Sequence, residues 1–126
     1  MFTGNCFKIL AAEDNFINQK LLEKIFLKKE WEIKVVANGT KVIEEAFSKP
    51  YDIILMDIRM PDIDGFEATR EIRKFNISIP IIAVTANAIE GFREECIASG
   101  MNDFITKPFK KEELFEMIEK HAGIKK

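Results

Sequence analysis

The chain has 126 residues, 47% of them hydrophobic and 32% charged, with a formal net charge of −2. That length fits one domain with one sizeable core, and the near-neutral charge offers no electrostatic case for nucleic acid. The apolar runs are too short to span a bilayer, and Cys6 and Cys96 form no CxxC pair, so reduced thiols in a cytoplasmic compartment are expected.

In chain order, strand character is expected first at residues 7–12, followed by a helical period over 15–29. In that helix Ile17, Leu21, Leu22 and Ile25 recur at the three-to-four spacing of a buried face. A second strand (32–37) and helix (40–48) follow, joined at Asn38-Gly39. The third strand (51–57) contains the unbroken apolar run Ile53-Ile54-Leu55-Met56 and leads to a helix at 65–75. The fourth strand (80–85) carries Ile81-Ile82-Ala83-Val84 before a helix at 89–99. A fifth pair is expected at 102–106 and 111–121. Continuous apolar strands suit a parallel sheet covered on both faces. Five strand–helix units of this size predict a doubly wound α/β fold.

In such sheets, sites form outside the carboxyl ends of the strands, near the topological switch point. The chain puts Glu13-Asp14 after strand one, Asp57 at the end of strand three, Thr85 at the end of strand four and Lys107 after strand five. Strand two ends in Ala37-Asn38-Gly39, with no obvious reactive group. Lys107 as a salt-bridge partner and Thr85 as an ordinary strand residue are the bland readings of each taken alone. Convergence of four strand ends on one edge favours a site.

The stretch YDIILMDIRMPDIDGFE holds four aspartates with different prospects. Asp52 and Asp57 are separated by about 16 Å of extended strand, which places Asp52 at the opposite edge as a polar strand start. Asp62 follows Pro61 and is expected in a solvated turn. Asp64 and Glu67 have the spacing of a helix capping box. Only Asp57 joins the carboxyl edge to an apolar run beneath it.

Glu13, Asp14 and Asp57 would repel one another unless a pKa rises or a cation is recruited, and hard oxygen donors suit Mg²⁺. The single histidine, His121, and the absence of a Cys/His cluster argue against zinc. Lys107 and the Thr85 hydroxyl complete an arrangement suited to phosphoryl transfer, with Asp57 as nucleophile.

The segments AAEDN (11–15), DIILMDIRMPDIDGFEA (52–68), PIIAVTANA (80–88) and DFITKPF (103–109), in this order and spacing, resemble the receiver domain of two-component response regulators. The likeness spans about residues 7–122 of a single domain covering 1–126, and its pattern is nearest to receivers of hybrid sensor kinases. It implies a flavodoxin-like fold with strand order 2-1-3-4-5. It also implies that Asp57 accepts a phosphoryl group from a partner phosphohistidine. Asp14 and Asp57, with the Arg59 main-chain carbonyl, would hold Mg²⁺ directly, and Glu13 through water. Thr85 and Lys107 would contact the phosphoryl oxygens, and the Lys107–Pro108 peptide would be cis. Thr85 and Phe104 would form the switch, read out on helix four, strand five and helix five. Arg59 and Asn87 would flank the approach of water.

The implied partner is a histidine kinase or histidine phosphotransfer protein, with Phe16 either contacting it or closing the helix start as a staple. No nucleic-acid or membrane contact by the domain is expected, nor separate turnover as an enzyme. A monomer or a phosphorylation-dependent dimer is expected. Ala11-Ala12 stands where larger aliphatics are usual, which predicts looser packing under the acidic pair, and Glu30-Trp31 replaces a glycine-containing turn. Two other classes remain in view. A haloacid-dehalogenase-type phosphatase needs a second carboxylate where Arg59 stands. An FMN carrier needs a phosphate-cradling loop where Glu13-Asp14 would repel phosphate.

Overall fold

The computed structural model describes residues 7–27, 29, 31–75 and 77–122; Cys6, Lys28 and Glu30 lie outside them. The elements alternate as β1 (Lys8–Ala12), α1 (Phe16–Ile25), β2 (Glu32–Val36), α2 (Gly39–Ser48) and β3 (Ile53–Asp57), then α3 (Gly65–Lys74), β4 (Ile81–Thr85), α4 (Phe92–Ser99), β5 (Asp103–Thr106) and α5 (Lys111–Ala122). All neighbouring strands pair in parallel, in the order β2-β1-β3-β4-β5. The order reverses beside β1, so the switch point brings the ends of β1 and β3 together.

Every residue of β3 and β4 is buried, as their unbroken apolar runs require. Alternate residues serve opposite faces. Ile54, Met56, Ile81 and Ala83 join Val42, Phe66, Ile72 and Phe92 in the core under α2, α3 and α4. Ile53, Leu55, Ile82 and Val84 join Phe26, Leu114 and Ile118 under α1 and α5. Leu114 and Ile118 are fully buried, each stabilising the fold by roughly 1.5–3 kcal/mol through lost apolar surface.

Three helices begin on a side-chain cap placed by the sequence. Asn15 accepts from the Asn18 amide at 2.9 Å, Asn38 from Lys41 at 2.9 Å and Asp64 from Glu67 at 2.8 Å. Helix α4 differs from expectation, starting at Phe92 rather than residue 89. Gly91 enters it at φ 87°, a left-handed conformation suited to glycine, and no side chain caps the helix.

Helix α1 also departs from the sequence pattern. It ends at Ile25, four residues early, because Phe26 turns into the core and packs on Trp31 and Phe115. The expected buried stripe is wrong for Ile17 and Leu21, which are 74% and 55% exposed. Leu22 and Ile25 alone of that set pack on the core. Two helices cover the α1 side where three cover the other, and a cleft of about 390 Å³ opens beside α1. Its lining includes Ala12, Leu21, Leu22, Leu55, Val84 and Leu114, so the small Ala12 side chain borders unfilled space under the acidic pair. Trp31, from the unusual turn, closes an aromatic cluster with Phe7, Phe26 and Phe115.

Candidate functional site

The carboxyl ends of β1, β3, β4 and β5 bring Glu13, Asp14, Asp57, Thr85 and Lys107 to one edge. Carboxylate oxygens of Glu13, Asp14 and Asp57 lie within 4.8 Å of one another, with Glu13 and Asp57 buried and Asp14 exposed. Lys107 Nζ is 3.0 Å from Glu13 Oε1 and 4.0 Å from Asp57 Oδ2. The ammonium thus sits between two carboxylates and favours the more buried one.

Burial pushes the Asp57 carboxyl up from an ordinary value of 3.8 to about 6, with the Glu13 charge adding to it. Lys107 and the Arg59 amide, 3.4 Å from Asp57 Oδ1, work against that rise. Asp57 is therefore largely ionised at neutral pH, yet poorly compensated by the protein alone. Three converging oxygen donors, one solvent-facing, fit a hard divalent cation.

The acidic loop is tied from two sides. The Glu13 amide donates to the Val36 carbonyl at 2.9 Å, and the Gln19 side-chain amide donates to the Glu13 carbonyl at 2.6 Å. Gln19 escapes a sequence reading because its partner is a main-chain oxygen. Asp62 is a second correction. Instead of a merely solvated turn residue, it accepts from the Gly39 amide at 2.9 Å, from the Thr40 amide at 2.8 Å and from the Thr40 hydroxyl. Asp52 meets expectation at the amino edge, accepting from the Lys8 amide at 2.8 Å.

On the other flank, the Thr85 hydroxyl exchanges hydrogen bonds with the Asn87 backbone, accepting from its amide at 3.2 Å and facing its carbonyl at 3.4 Å. Asn87 and Arg59 side chains are exposed around the edge. The Lys107–Pro108 peptide is cis. Phe104 is half-buried against Phe92, with ring centroids 5.1 Å apart, and the Arg93 guanidinium lies 5.2 Å over its ring. Arg93 also reaches Asp103 at 3.7 Å, whose other oxygen is 2.9 Å from His121 Nε2. Phe16 opens α1 beside the edge at 66% exposure, with Lys20 Nζ 5.1 Å from its ring. The ring is not folded down as a staple.

Comparison with known proteins supplies an independent line. The family described as response regulator receiver domain matches residues 9–119. Hybrid signal transduction histidine kinase B of Dictyostelium discoideum is 40% identical over 130 residues, covering 92% of this chain and 7% of the kinase. The chain therefore spans a small part of the length of such relatives. The receiver domain of a Pseudomonas aeruginosa sensor histidine kinase, crystallised with a magnesium ion coordinated in its active-site cleft, superposes with a TM-score of 0.86 at 42% identity. That match covers 94% of this chain and 99% of the other. A co-crystal structure of the Saccharomyces cerevisiae phosphotransfer protein Ypd1 with the receiver domain of Ssk1 matches with a TM-score of 0.87 at 27% identity, covering 94% and 90%.

Proposed function

This chain belongs to the response regulator receiver domain family of two-component phosphorelays, and on that premise we propose that Asp57 is its phosphoacceptor. The observation that carries this is the meeting of Asp57 with Glu13, Asp14 and Lys107 at the β1–β3 switch point.

The donor is a phosphohistidine of a histidine kinase or histidine phosphotransfer protein. An Asp57 Oδ attacks phosphorus as the nitrogen–phosphorus bond breaks, the bonding pair returning to the imidazole. Asp57 becomes an acyl phosphate, and later attack by water releases inorganic phosphate and restores the carboxylate. Lys107 and Thr85 pair with phosphoryl oxygens, and the exposed Arg59 and Asn87 flank the water's path, Arg59 slowing its approach. Asp14, Asp57 and the Arg59 main-chain carbonyl are assigned to Mg²⁺, with Glu13 acting through water. A bound Mg²⁺ supplies positive charge that offsets repulsion between the carboxylates and an incoming phosphoryl group. The magnesium in the similar Pseudomonas cleft supports that choice of ion.

Turning of the Thr85 hydroxyl from Asn87 toward the phosphoryl group would free space for Phe104 to move, altering α4, β5 and α5. Phe16, Ile17 and Leu21 are exposed apolar residues of α1, which follows the Glu13-Asp14 loop, and make the proposed contact for the histidine-bearing helix. The reading includes residues 1–126 as one domain, a monomer or phosphorylation-dependent dimer, in the cytoplasm, signalling rather than turning over a substrate. Among the described residues, no helix is long and apolar enough to cross a membrane. The phosphatase alternative is weaker, because Arg59 stands where its second carboxylate is needed. Incubation with a phosphohistidine-bearing protein tests the proposal: label moves to the wild-type chain and not to Asp57→Ala. Equal labelling of both would dismiss Asp57.

A further inference from the structure

The connection from Asp57 to Gly65 is held at its base and at its crest by different contacts. At the base, the Gly65 amide donates to the Ile58 carbonyl at 2.8 Å. A Cβ on Gly65 would stand 2.4 Å from the Asp57 carbonyl oxygen, so glycine lets α3 begin directly against the end of β3. At the crest, both Asp62 carboxylate oxygens bind the β2–α2 turn through the Gly39 amide, the Thr40 amide and the Thr40 hydroxyl. Ile63 lies so close to Gly39 that a Cβ there would come within 2.4 Å of it.

We propose that Asp62 is a positioning residue for the cation site: by clasping Gly39 and Thr40 it fixes the arch that presents the Arg59 main-chain carbonyl toward Asp14 and Asp57. The inference rests on the assignment of that carbonyl to Mg²⁺.

Arg59 lies between the two fixed points. Its amide is 3.4 Å from Asp57 Oδ1 and shares a peptide plane with the Ile58 carbonyl that Gly65 holds, so the plane just before the Arg59 carbonyl is pinned at both ends. Ile58, Met60 and Ile63 also pack on the core and hold the arch apolarly. Apolar packing is non-directional, whereas three hydrogen bonds to one carboxylate fix rotation as well as depth. Helix capping alone does not account for them, since α2 already has its cap in Asn38. The bond from Thr40 also holds the Asp62 carboxyl below the usual carboxylate range, in keeping with an engaged anion.

The test compares wild type with Asp62→Ala, Asp62→Asn and Thr40→Val. Mg²⁺ affinity is read by calorimetric titration, and amide hydrogen exchange over residues 58–64 is read in metal-free protein. Asp62→Ala is expected to weaken Mg²⁺ binding about tenfold, the lower end for loss of a group that orients a ligand. Its exchange at Arg59, Met60 and Ile63 should rise. Thr40→Val keeps both amides and should cost about two- to threefold, less than additively with Asp62→Ala. Asp62→Asn should fall between, because one oxygen becomes a donor facing amides. Should Asp62→Ala fail to fold, Asp62→Asn and Thr40→Val decide the matter. Unchanged Mg²⁺ affinity in these variants, with only a lower melting temperature, would make Asp62 a helix-turn support and overturn the proposal. Failure of wild type itself to bind Mg²⁺ would instead overturn the metal assignment on which the inference rests.

Discussion

The Lys107 ammonium pairs with Glu13 Oε1 at 3.0 Å, joining residues 94 apart in sequence, while Asp57 stands farther off at 4.0 Å. Among the described residues, the Lys107 ammonium reaches both buried carboxylates of this edge. A divalent cation bound among Glu13, Asp14 and Asp57 would share its carboxylates with the lysine.

Removing the lysine should separate those two roles. Lys107→Ala is expected to tighten Mg²⁺ binding roughly five- to tenfold, since a unit positive charge about 4 Å from the site disfavours a second one. The same variant should accept phosphate more slowly, because a contact to the phosphoryl oxygens is gone. Calorimetry and phosphorylation kinetics on one preparation check both signs. Weaker Mg²⁺ binding in Lys107→Ala would contradict the competition.

Asp57 is held at a cost in stability. With a folded pKa of about 6 against an ordinary 3.8, folded Asp57 binds more protons than the unfolded chain between those values. Metal-free stability should therefore fall as pH rises through that window and stay low above about 6. Asp57→Asn removes the buried charge and should stabilise metal-free protein at neutral pH by on the order of 1–2 kcal/mol. Its unfolding free energy should lack the decline that Asp57 contributes between pH about 4 and about 6. Thermal and urea unfolding in a chelating buffer measure this, and a destabilised Asp57→Asn would refute it.

The candidate site is legible in the sequence because each member closes or directly follows a strand, and a parallel sheet sends all these strand ends to one edge. The fate of Asp62 was hidden for the opposite reason. Its partners Gly39 and Thr40 lie 23 and 22 positions away, and Pro61-Asp62 has local turn chemistry that explains itself. Periodicity identified an apolar face on α1 but not what covers it, so Ile17 and Leu21 read as core. Early departure of Phe26 into the aromatic cluster and the cleft beside Leu21 follow from packing between segments distant in sequence. Helix α4 begins later than its periodicity predicts because Gly91, at φ 87°, interrupts the apolar period that Ile89 continues.

The exposed strip on α1 should matter for one kind of donor only. Phe16→Ala and Leu21→Ala are expected to slow phosphotransfer from a histidine-bearing protein about tenfold or more, as loss of interface anchors does. Labelling by a small phosphodonor should stay within about twofold of wild type, surface substitutions away from the chemistry being nearly neutral. Equal slowing with both donors would place Phe16 in the chemistry rather than in docking.

Thr85 separates acceptance from response. Its hydroxyl is engaged by the Asn87 backbone, at the start of the loop that leads to the uncapped α4. Thr85→Ala should still be phosphorylated on Asp57 but lose most of the phosphorylation-dependent amide shifts over Phe92–Ser99. Full shifts in that variant would remove Thr85 from the switch.

The most direct test of Asp57 is labelling of the intact chain by acetyl phosphate, followed by mass, with Mg²⁺ and with excess chelator. Wild type should gain one phosphoryl group only when Mg²⁺ is present, and Asp57→Ala should gain none under either condition. Mg²⁺-independent labelling, or labelling of Asp57→Ala equal to wild type, would contradict the proposal.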